Sequence, residues 1–147
     1  MNIAIVGATG NVGRIMLKVL EQKKIPIDQL FLVASSRSTG QKINFNGKEH
    51  EVCNLETYDF SKAEITFFAA GGKISEKYAE KAAKDTTIID NSSFFRMDDD
   101  VPLIIPQVNP EAIKDLRKNI IANPNCSTAQ LIIALKPLHD ELKIKRV

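Results

Sequence analysis

The clearest chemical signal in this chain is one cysteine. Cys126 stands in Asn123-Pro124-Asn125-Cys126-Ser127-Thr128, after the short apolar run Ile120-Ile121-Ala122 and before a stretch that carries Leu131 and Leu135 on one helical face. That context puts the thiol at the start of a helix. The positive end of the helix dipole there favours the thiolate, which is the nucleophilic form. Backbone N–H groups at the same helix start are placed to hold a developing oxyanion. The competing reading is a small buried hydrophobe, which is what most unpaired cysteines are. The other cysteine, Cys53, follows a hairpin pattern, has no helix start beside it, and reads as packing or surface filler.

A second constellation is Gly7-Ala8-Thr9-Gly10-Asn11-Val12-Gly13, directly after the apolar run at 2–6. In a strand–turn–helix setting the first glycine permits a tight turn. The second lets backbone approach a pyrophosphate, and the third allows close helix–strand packing. The plainer reading is a glycine turn that only packs a strand on a helix. An NAD site usually carries Asp or Glu at the end of the second strand, bonded to the ribose 2′-hydroxyl. Here that position reads Ala34-Ser35-Ser36-Arg37-Ser38, with no acid. An arginine flanked by hydroxyls suits a 2′-phosphate, so NADP is favoured over NAD. A thiolate beside a nicotinamide ring points to aldehyde chemistry: attack gives a thiohemiacetal, hydride leaves, and a thioester remains.

A third stretch, Asn91-Ser92-Ser93-Phe94-Phe95-Arg96, follows an apolar run ending at Asp90. Arg96 suits a phosphate or carboxylate. Equally, it could pair with Asp98, Asp99 or Asp100, close by in sequence. That acidic triplet reads as a solvated loop, since no further ligand cluster accompanies it. His50 and His139, the only histidines, read as surface residues. Tyr58 and Lys62 have the Tyr-x-x-x-Lys spacing of epimerase-like reductases, but they lie just before a strand and not on a long helix.

These residues must be positioned by alternating elements. Strands are expected at 2–6, 30–34, 64–70, 87–90 and 120–122. Helices are expected from Val12, with Val12, Ile15, Met16, Val19 and Leu20 on one face, then at 74–84, with Ile74, Tyr78 and Ala82 on one face, and from Cys126 until Pro137 kinks or ends it. Residues 41–53 read as a β-hairpin insert turning at Asn46-Gly47. Asn109-Pro110-Glu111 reads as an N-cap and first helical turn, and Lys145-Arg146-Val147 as the opening of a strand. Such alternation implies an α/β, Rossmann-like, doubly wound and mainly parallel sheet, with all strand C-termini, and so the ligands, on one edge.

Composition narrows the class further. The 147 residues are 44% hydrophobic and 26% charged, which suits one globular domain. Twenty basic against eighteen acidic residues give a net charge of +2, too balanced for a nucleic-acid footprint. No apolar run approaches the ~20 residues that span a bilayer, and the N-terminus shows no secretory signal. With two cysteines and no disulfide framework, a cytoplasmic location is expected.

Six segments in order, GATGNVG at 7–13, SSRSTG at 35–40, AAGG at 69–72, DNSSFFR at 90–96, VPLIIPQVN at 101–109 and NPNCSTAQL at 123–131, closely resemble the bacterial aspartate-semialdehyde dehydrogenase family. The resemblance implies NADPH-dependent reductive dephosphorylation of L-aspartyl-4-phosphate to aspartate semialdehyde through a cysteine thioester. It serves amino-acid biosynthesis through the diaminopimelate, lysine, methionine, threonine and isoleucine branches. By the same resemblance Cys126 is the nucleophile and Arg96 holds the substrate phosphate. Asn125 orients substrate or the acyl oxygen. Gly7, Thr9, Gly10, Asn11 and Val12 line the cofactor phosphates. Ser36, Arg37 and Ser38 meet the 2′-phosphate, and Ala70, Gly71 and Gly72 pass near the adenosine or nicotinamide half. No metal is implied. The family is usually a homodimer or homotetramer acting on small molecules, with neither nucleic acid nor membrane as partner. The family's glutamine, acid/base histidine and carboxylate-binding arginine have no match here. The expected division is therefore an NADP-binding domain at 1–126 and, at 127–147, the truncated start of a catalytic and dimerisation domain, the second α+β domain missing and the fragment inactive alone. N-acetyl-glutamyl-phosphate reductase, whose cysteine typically sits in a Gly-Cys-Tyr context, and a non-catalytic NADP-binding sensor domain are the alternatives.

Overall fold

The structure is a computed structural model that describes residues 1–147. Seven strands form one sheet: β1 (Asn2–Val6), β2 (Gln29–Ala34), β3 (Lys42–Phe45), β4 (Lys48–Asn54), β5 (Ile65–Phe68), β6 (Thr87–Asp90) and β7 (Ile120–Ala122). Their order is β3-β4-β2-β1-β5-β6-β7, parallel throughout except for β3. Three α-helices accompany them: α1 (Asn11–Gln22), α2 (Gly72–Ala82) and α3 (Cys126–Leu142). The chain builds outward from β1 through β2 to β4, then returns to the other side of β1 and continues through β5, β6 and β7. The direction of winding reverses at β1, and in doubly wound sheets ligands bind outside the strand C-termini at that reversal.

Why the strands read as apolar runs is clear from the two cores. Ile3 and Ile5 of β1 face one side, with Leu32, Val52 and Leu17 of α1. Val6 faces the other, with Val33, Phe68, Ile88, Ile120 and Ala79 and Ala82 of α2. Both faces of the central strands are covered, so no polar alternation survives.

The hairpin turns at Asn46-Gly47, whose φ values of +49° and +75° are those that turn needs. Its second strand does more than close a hairpin. Val52, Cys53 and Asn54 pair in parallel with Leu32, Val33 and Ala34, so β4 belongs to the main sheet and β3 is the edge. Cys53 thus lies within β4, half-buried against the core, and not beyond the hairpin.

Helix α1 differs from expectation in how it presents its apolar residues. It turns Gly13 and Leu17 into the sheet, while Val12, Ile15 and Val19 stay exposed and line an apolar groove of about 450 Å³ with Met16, Leu20 and Phe67. The helix carries two apolar stripes, and the periodicity alone does not say which one the sheet takes. Helix α3 continues through Pro137 to Leu142 and has no buried residue; Leu131, Ile133, Leu138 and Leu142 are exposed. Proline there removes one backbone donor, and a Lys136–Asp140 ion pair bridges the same turn. Pro110–Lys114 form a 3-10 turn, and Asn109 does not cap it. Its amide instead accepts from Ile105 N (2.8 Å) and donates to Leu103 O (2.9 Å). Residues 143–147 form no strand.

Two ion pairs of one lysine tie separate segments together. Lys118 Nζ donates to Asp98 Oδ2 (2.9 Å) and to Glu80 Oε1 (3.2 Å). The Lys118 ammonium, with help from the Asp100 N–H, holds the Asp98 carboxyl below the usual carboxylate range. A depressed carboxyl contributes stability that is present above its unfolded value, near 4, and lost as pH falls through the lower folded value. In Lys118→Met the thermal midpoint is therefore expected to fall below that of the parent from about pH 5 to 9, with the gap closing below about pH 4. A gap unchanged at pH 3 in a thermal-melt series would assign the loss to packing.

Candidate active site

The C-terminal ends of β1, β5, β6 and β7 lie side by side on one edge of the sheet. Each loop that leaves this edge is tied to its neighbour by one more backbone bond. Gly7 N donates to Val33 O, Ala69 N to Val6 O, Asn91 N to Phe68 O and Asn123 N to Asp90 O, all at 2.8–2.9 Å. The glycine loop, the Ala69–Gly71 turn, the Asn91–Arg96 loop and the Asn123–Cys126 turn thus form one rim. Three inter-strand steps separate β1 from β7, roughly 14 Å at ~4.8 Å per step.

At the β1 end is a cleft of about 390 Å³. Gly7, Thr9 and Gly10 line it from the glycine loop, Arg37 from the loop after β2, and Ala70 from the turn after β5. Gly7 has φ +88°, and a Cβ there would meet Ala69 C and O at 2.8 Å. A Cβ on Gly13 would lie 2.4 Å from Gly7 O, so the third glycine is a packing requirement. Gly10 is different: its φ is −76° and a Cβ would meet only Gly7 O, at 3.4 Å. Nothing in the chain itself demands glycine there. No side chain caps α1, no acid lies in its first turn, and the N–H groups of Asn11, Val12 and Gly13 donate to no backbone carbonyl outside the helix. That is an open anion site by geometry.

The other residues expected around a dinucleotide are disposed unevenly. Ser36–Ser38 form a 3-10 turn above the cleft, and Ser38 Oγ lies 3.4 Å from Thr9 Oγ1. Arg37 is exposed and makes no ion pair. Asn11 and Val12 stand at the first turn of α1, where no side chain caps the helix, and both residues also border the separate apolar groove. Gly71 and Gly72 begin α2 beside Ala70.

Arg96 pairs with none of the neighbouring acids. Asp98 is held by Lys118, and Asp100 by Arg117 at 3.0 Å. The guanidinium instead donates through Nε to Asn123 O (2.9 Å) and through Nη2 to Asn91 O (3.3 Å). A half-buried cation facing carbonyls and no carboxylate suits an anion. The loop that carries it is anchored by Asp90, which is fully buried and accepts from Ser75 Oγ and Ser92 Oγ, both at 2.6 Å.

Cys126 is exposed and opens α3, as the sequence implies. The helix start is occupied differently from expectation. Asn125 Oδ1 accepts from Ser127 N (2.9 Å) and Thr128 N (3.3 Å). Those two N–H groups are consumed by the cap. The donors left for an oxyanion are the Cys126 N–H and Asn125 Nδ2. His50 stacks edge-on against Phe45, and His139 lies in the third turn or beyond from Cys126, so neither reaches the rim. Tyr58 is packed among Phe31 and Phe60, where burial pushes its phenol up, and Tyr58–Lys62 does not form a reductase pair on a helix.

The family profile described as "Semialdehyde dehydrogenase, NAD binding domain" matches residues 2–116. The chain belongs to this family. An aspartate-semialdehyde dehydrogenase of Shewanella violacea is 52% identical over 99% of the chain, which spans 44% of that relative. The crystal structure of aspartate semialdehyde dehydrogenase II of Vibrio cholerae, complexed with ASA, superposes with a TM-score of 0.96 at 53% identity, over 99% of this chain and 48% of that one. Aspartate semialdehyde dehydrogenase of Candida albicans, solved with NADP, superposes with a TM-score of 0.76 at 27% identity, over 97% of this chain and 48% of that one. The chain thus spans under half the length of these semialdehyde dehydrogenases.

Several residues that shape the cleft of this semialdehyde dehydrogenase domain carry no local sequence signal. Leu55 and Ile74 line it from beyond β4 and from α2. Their spacing in sequence is unrelated to the glycine loop, and only the strand order brings them there. Ser35 adjoins the expected strand at 30–34 and Ala69 falls within the one expected at 64–70, and both follow from the topology once it is known.

Proposed function

We propose that these residues are the cofactor-binding portion and nucleophile of an aspartate-semialdehyde dehydrogenase, reducing L-aspartyl-4-phosphate to aspartate semialdehyde with NADPH. The observation that carries the reading is the shared rim: an exposed thiol at a helix start, an arginine without a carboxylate partner beside it, and the open end of α1 three strands away. The cofactor fits the residues present. Gly10 leaves space that a side chain would fill, and the uncapped N–H groups of α1 suit its pyrophosphate. Gly7 and Thr9 belong to the same cradle. Arg37, with Ser36 and Ser38, would hold the 2′-phosphate, and Ala70, Gly71 and Gly72 would border the rest of the dinucleotide. When bound, NADPH supplies the hydride.

The protein's own groups do the remainder. Cys126 sulfur bonds to the acyl carbon and the carbon–oxygen bond to phosphate breaks, leaving a thioester on Cys126. Arg96 neutralises the phosphate as it leaves. Asn125 Nδ2 and the Cys126 N–H hold the acyl oxygen while it carries negative charge. Reduction of the thioester releases aldehyde and restores the thiol. Neither histidine of residues 1–147 reaches the rim, and the family's acid/base histidine is expected outside these residues. Accordingly the 147 residues alone are expected to bind NADP weakly without turnover. The division falls at Cys126, with 127–147 opening a catalytic and dimerisation domain that α3's uncovered apolar residues would join. The protein would act in the cytoplasm as a homodimer or homotetramer, feeding the diaminopimelate, lysine, methionine, threonine and isoleucine branches.

Two measurements test this reading. In the protein as encoded, oxidation of aspartate semialdehyde by NADP should require phosphate. Phosphate-independent turnover, or a preference for N-acetyl-glutamyl phosphate in the reverse direction, would overturn it. Arg37→Ala should weaken NADPH binding about tenfold or more and leave NADH binding within twofold, because it removes a charge-assisted bond only the 2′-phosphate makes. Equal losses by titration would contradict the 2′-phosphate role.

A further inference from the structure

The contacts around Arg96 hold more order than an anion-binding arginine needs. Its Nε and Nη2 are both spent on backbone carbonyls, those of Asn123 and Asn91, which belong to different loops. The same two residues are joined by their side chains: Asn123 Nδ2 donates to Asn91 Oδ1 at 2.6 Å. Each is also tied by its own N–H to the neighbouring strand, Asn91 N to Phe68 O and Asn123 N to Asp90 O. Both asparagines are half-buried, and neither lines the dinucleotide cleft.

We infer that Asn91 and Asn123 are positioning residues: their amide–amide bond sets the spacing of the two carbonyls that orient the Arg96 guanidinium beside the Cys126 turn. This rests on the reading of Arg96 as the anion site. A free arginine side chain carries roughly 2 kcal/mol of rotamer entropy, and a planar guanidinium gains most from ordering when one edge is pinned and the other is presented. Here the pinned edge is Nε with Nη2. Nη1, which has no partner in the chain, is the presented group. Asn123 is three residues before Cys126, so the carbonyl that pins the guanidinium also fixes the start of the nucleophile's turn. Breaking the amide–amide bond lets the carbonyls separate without removing the charge.

The test compares alkylation of Cys126 by iodoacetate, an anion, and by iodoacetamide, which is neutral, in the protein as encoded. The ratio of the two rates reads the field of Arg96 at the thiol and is insensitive to a simple loss of folded fraction. Relative to Arg96→Ala, the parent should show a ratio higher by about fivefold, the scale expected for one charge at partly screened distance. Asn91→Ala and Asn123→Ala should each lose most of that excess. The double variant should lose no more than either single one, because both remove the same bond. If either alanine does not fold, Asn91→Ser and Asn123→Ser are read in the same way. Asparagine variants that keep the parental ratio, even with a lowered thermal midpoint, would make the pair structural only and overturn the inference while leaving the anion site intact. An Arg96→Ala variant with the parental ratio would instead overturn the anion site and the inference with it.

Discussion

Cys126→Ser is expected to lower kcat/KM by about 10⁴-fold or more while NADP binding stays within about twofold. A hydroxyl is a far weaker nucleophile than a thiolate at neutral pH, and no base in these residues is placed to activate it. The fold should be indifferent. Cys126 is exposed, and the helix it opens is capped by Asn125, not by the thiol. Cys53→Ser is the matched control. Its side chain is half-buried in β4, on the strand face that packs on the core, and five inter-strand steps from β7. Its activity per folded molecule should remain within about twofold, with any effect confined to stability, about 1 kcal/mol or less for one small substitution. Steady-state kinetics with dinucleotide titration on the same samples separates the two. Comparable losses at both cysteines would remove Cys126 from the chemistry.

The glycines divide in the same way between folding and binding. Gly13→Ala drives a Cβ to 2.4 Å from Gly7 O and 2.8 Å from Ala8 Cα. Both are backbone atoms, so relief requires α1 to move off the sheet. A loss of about 3 kcal/mol is expected, which lowers the melting temperature by about 6–12 °C in a domain of this size. Gly10→Ala meets nothing closer than 3.4 Å and has an ordinary φ. Its cost is about 1 kcal/mol or less, the difference between glycine and alanine at an N-cap. Its effect on the dinucleotide should be larger, because the new methyl occupies the space where pyrophosphate approaches the helix. About 30-fold weaker binding, near 2 kcal/mol, is the expected scale. Melting curves and titrations of both variants check the contrast. A Gly10→Ala protein that binds NADP as the parent does would place the pyrophosphate elsewhere.

What the chain discloses by itself depends on how local the cause is. The central strands were legible because burial on both faces writes a continuous apolar run, as at Asn2–Val6 and Ile65–Phe68. The hairpin was legible because Asn46-Gly47 takes the two positive φ values that few residues tolerate. The position of Cys126 at a helix start was legible because a short apolar run precedes it and Leu131 and Leu135 follow at helical spacing. Asn125, next to it, shows where local reasoning stops. A cap and an oxyanion hole compete for the same N–H groups, and in the fold Asn125 Oδ1 takes those of Ser127 and Thr128. Arg96 is a long-range case. Three acids adjoin it in sequence, yet Lys118 and Arg117 claim two of them from across the fold, and Arg96 turns to carbonyls instead. The second apolar stripe of α1 was hidden for a different reason. Periodicity counts apolar positions, and it cannot tell a stripe that meets the sheet from one that faces outward with Phe67.

The central claim is that the Cys126 thiol and the bound dinucleotide occupy the same rim. The most direct measurement is the alkylation rate of each cysteine by iodoacetamide, followed by peptide mass, with and without saturating NADP. A nicotinamide ring laid along the rim should slow or otherwise change the rate at Cys126 by about fivefold or more, on the scale of excluding reagent from most encounters, and leave Cys53 unchanged. An identical Cys126 rate at full cofactor occupancy would show that thiol and dinucleotide do not meet.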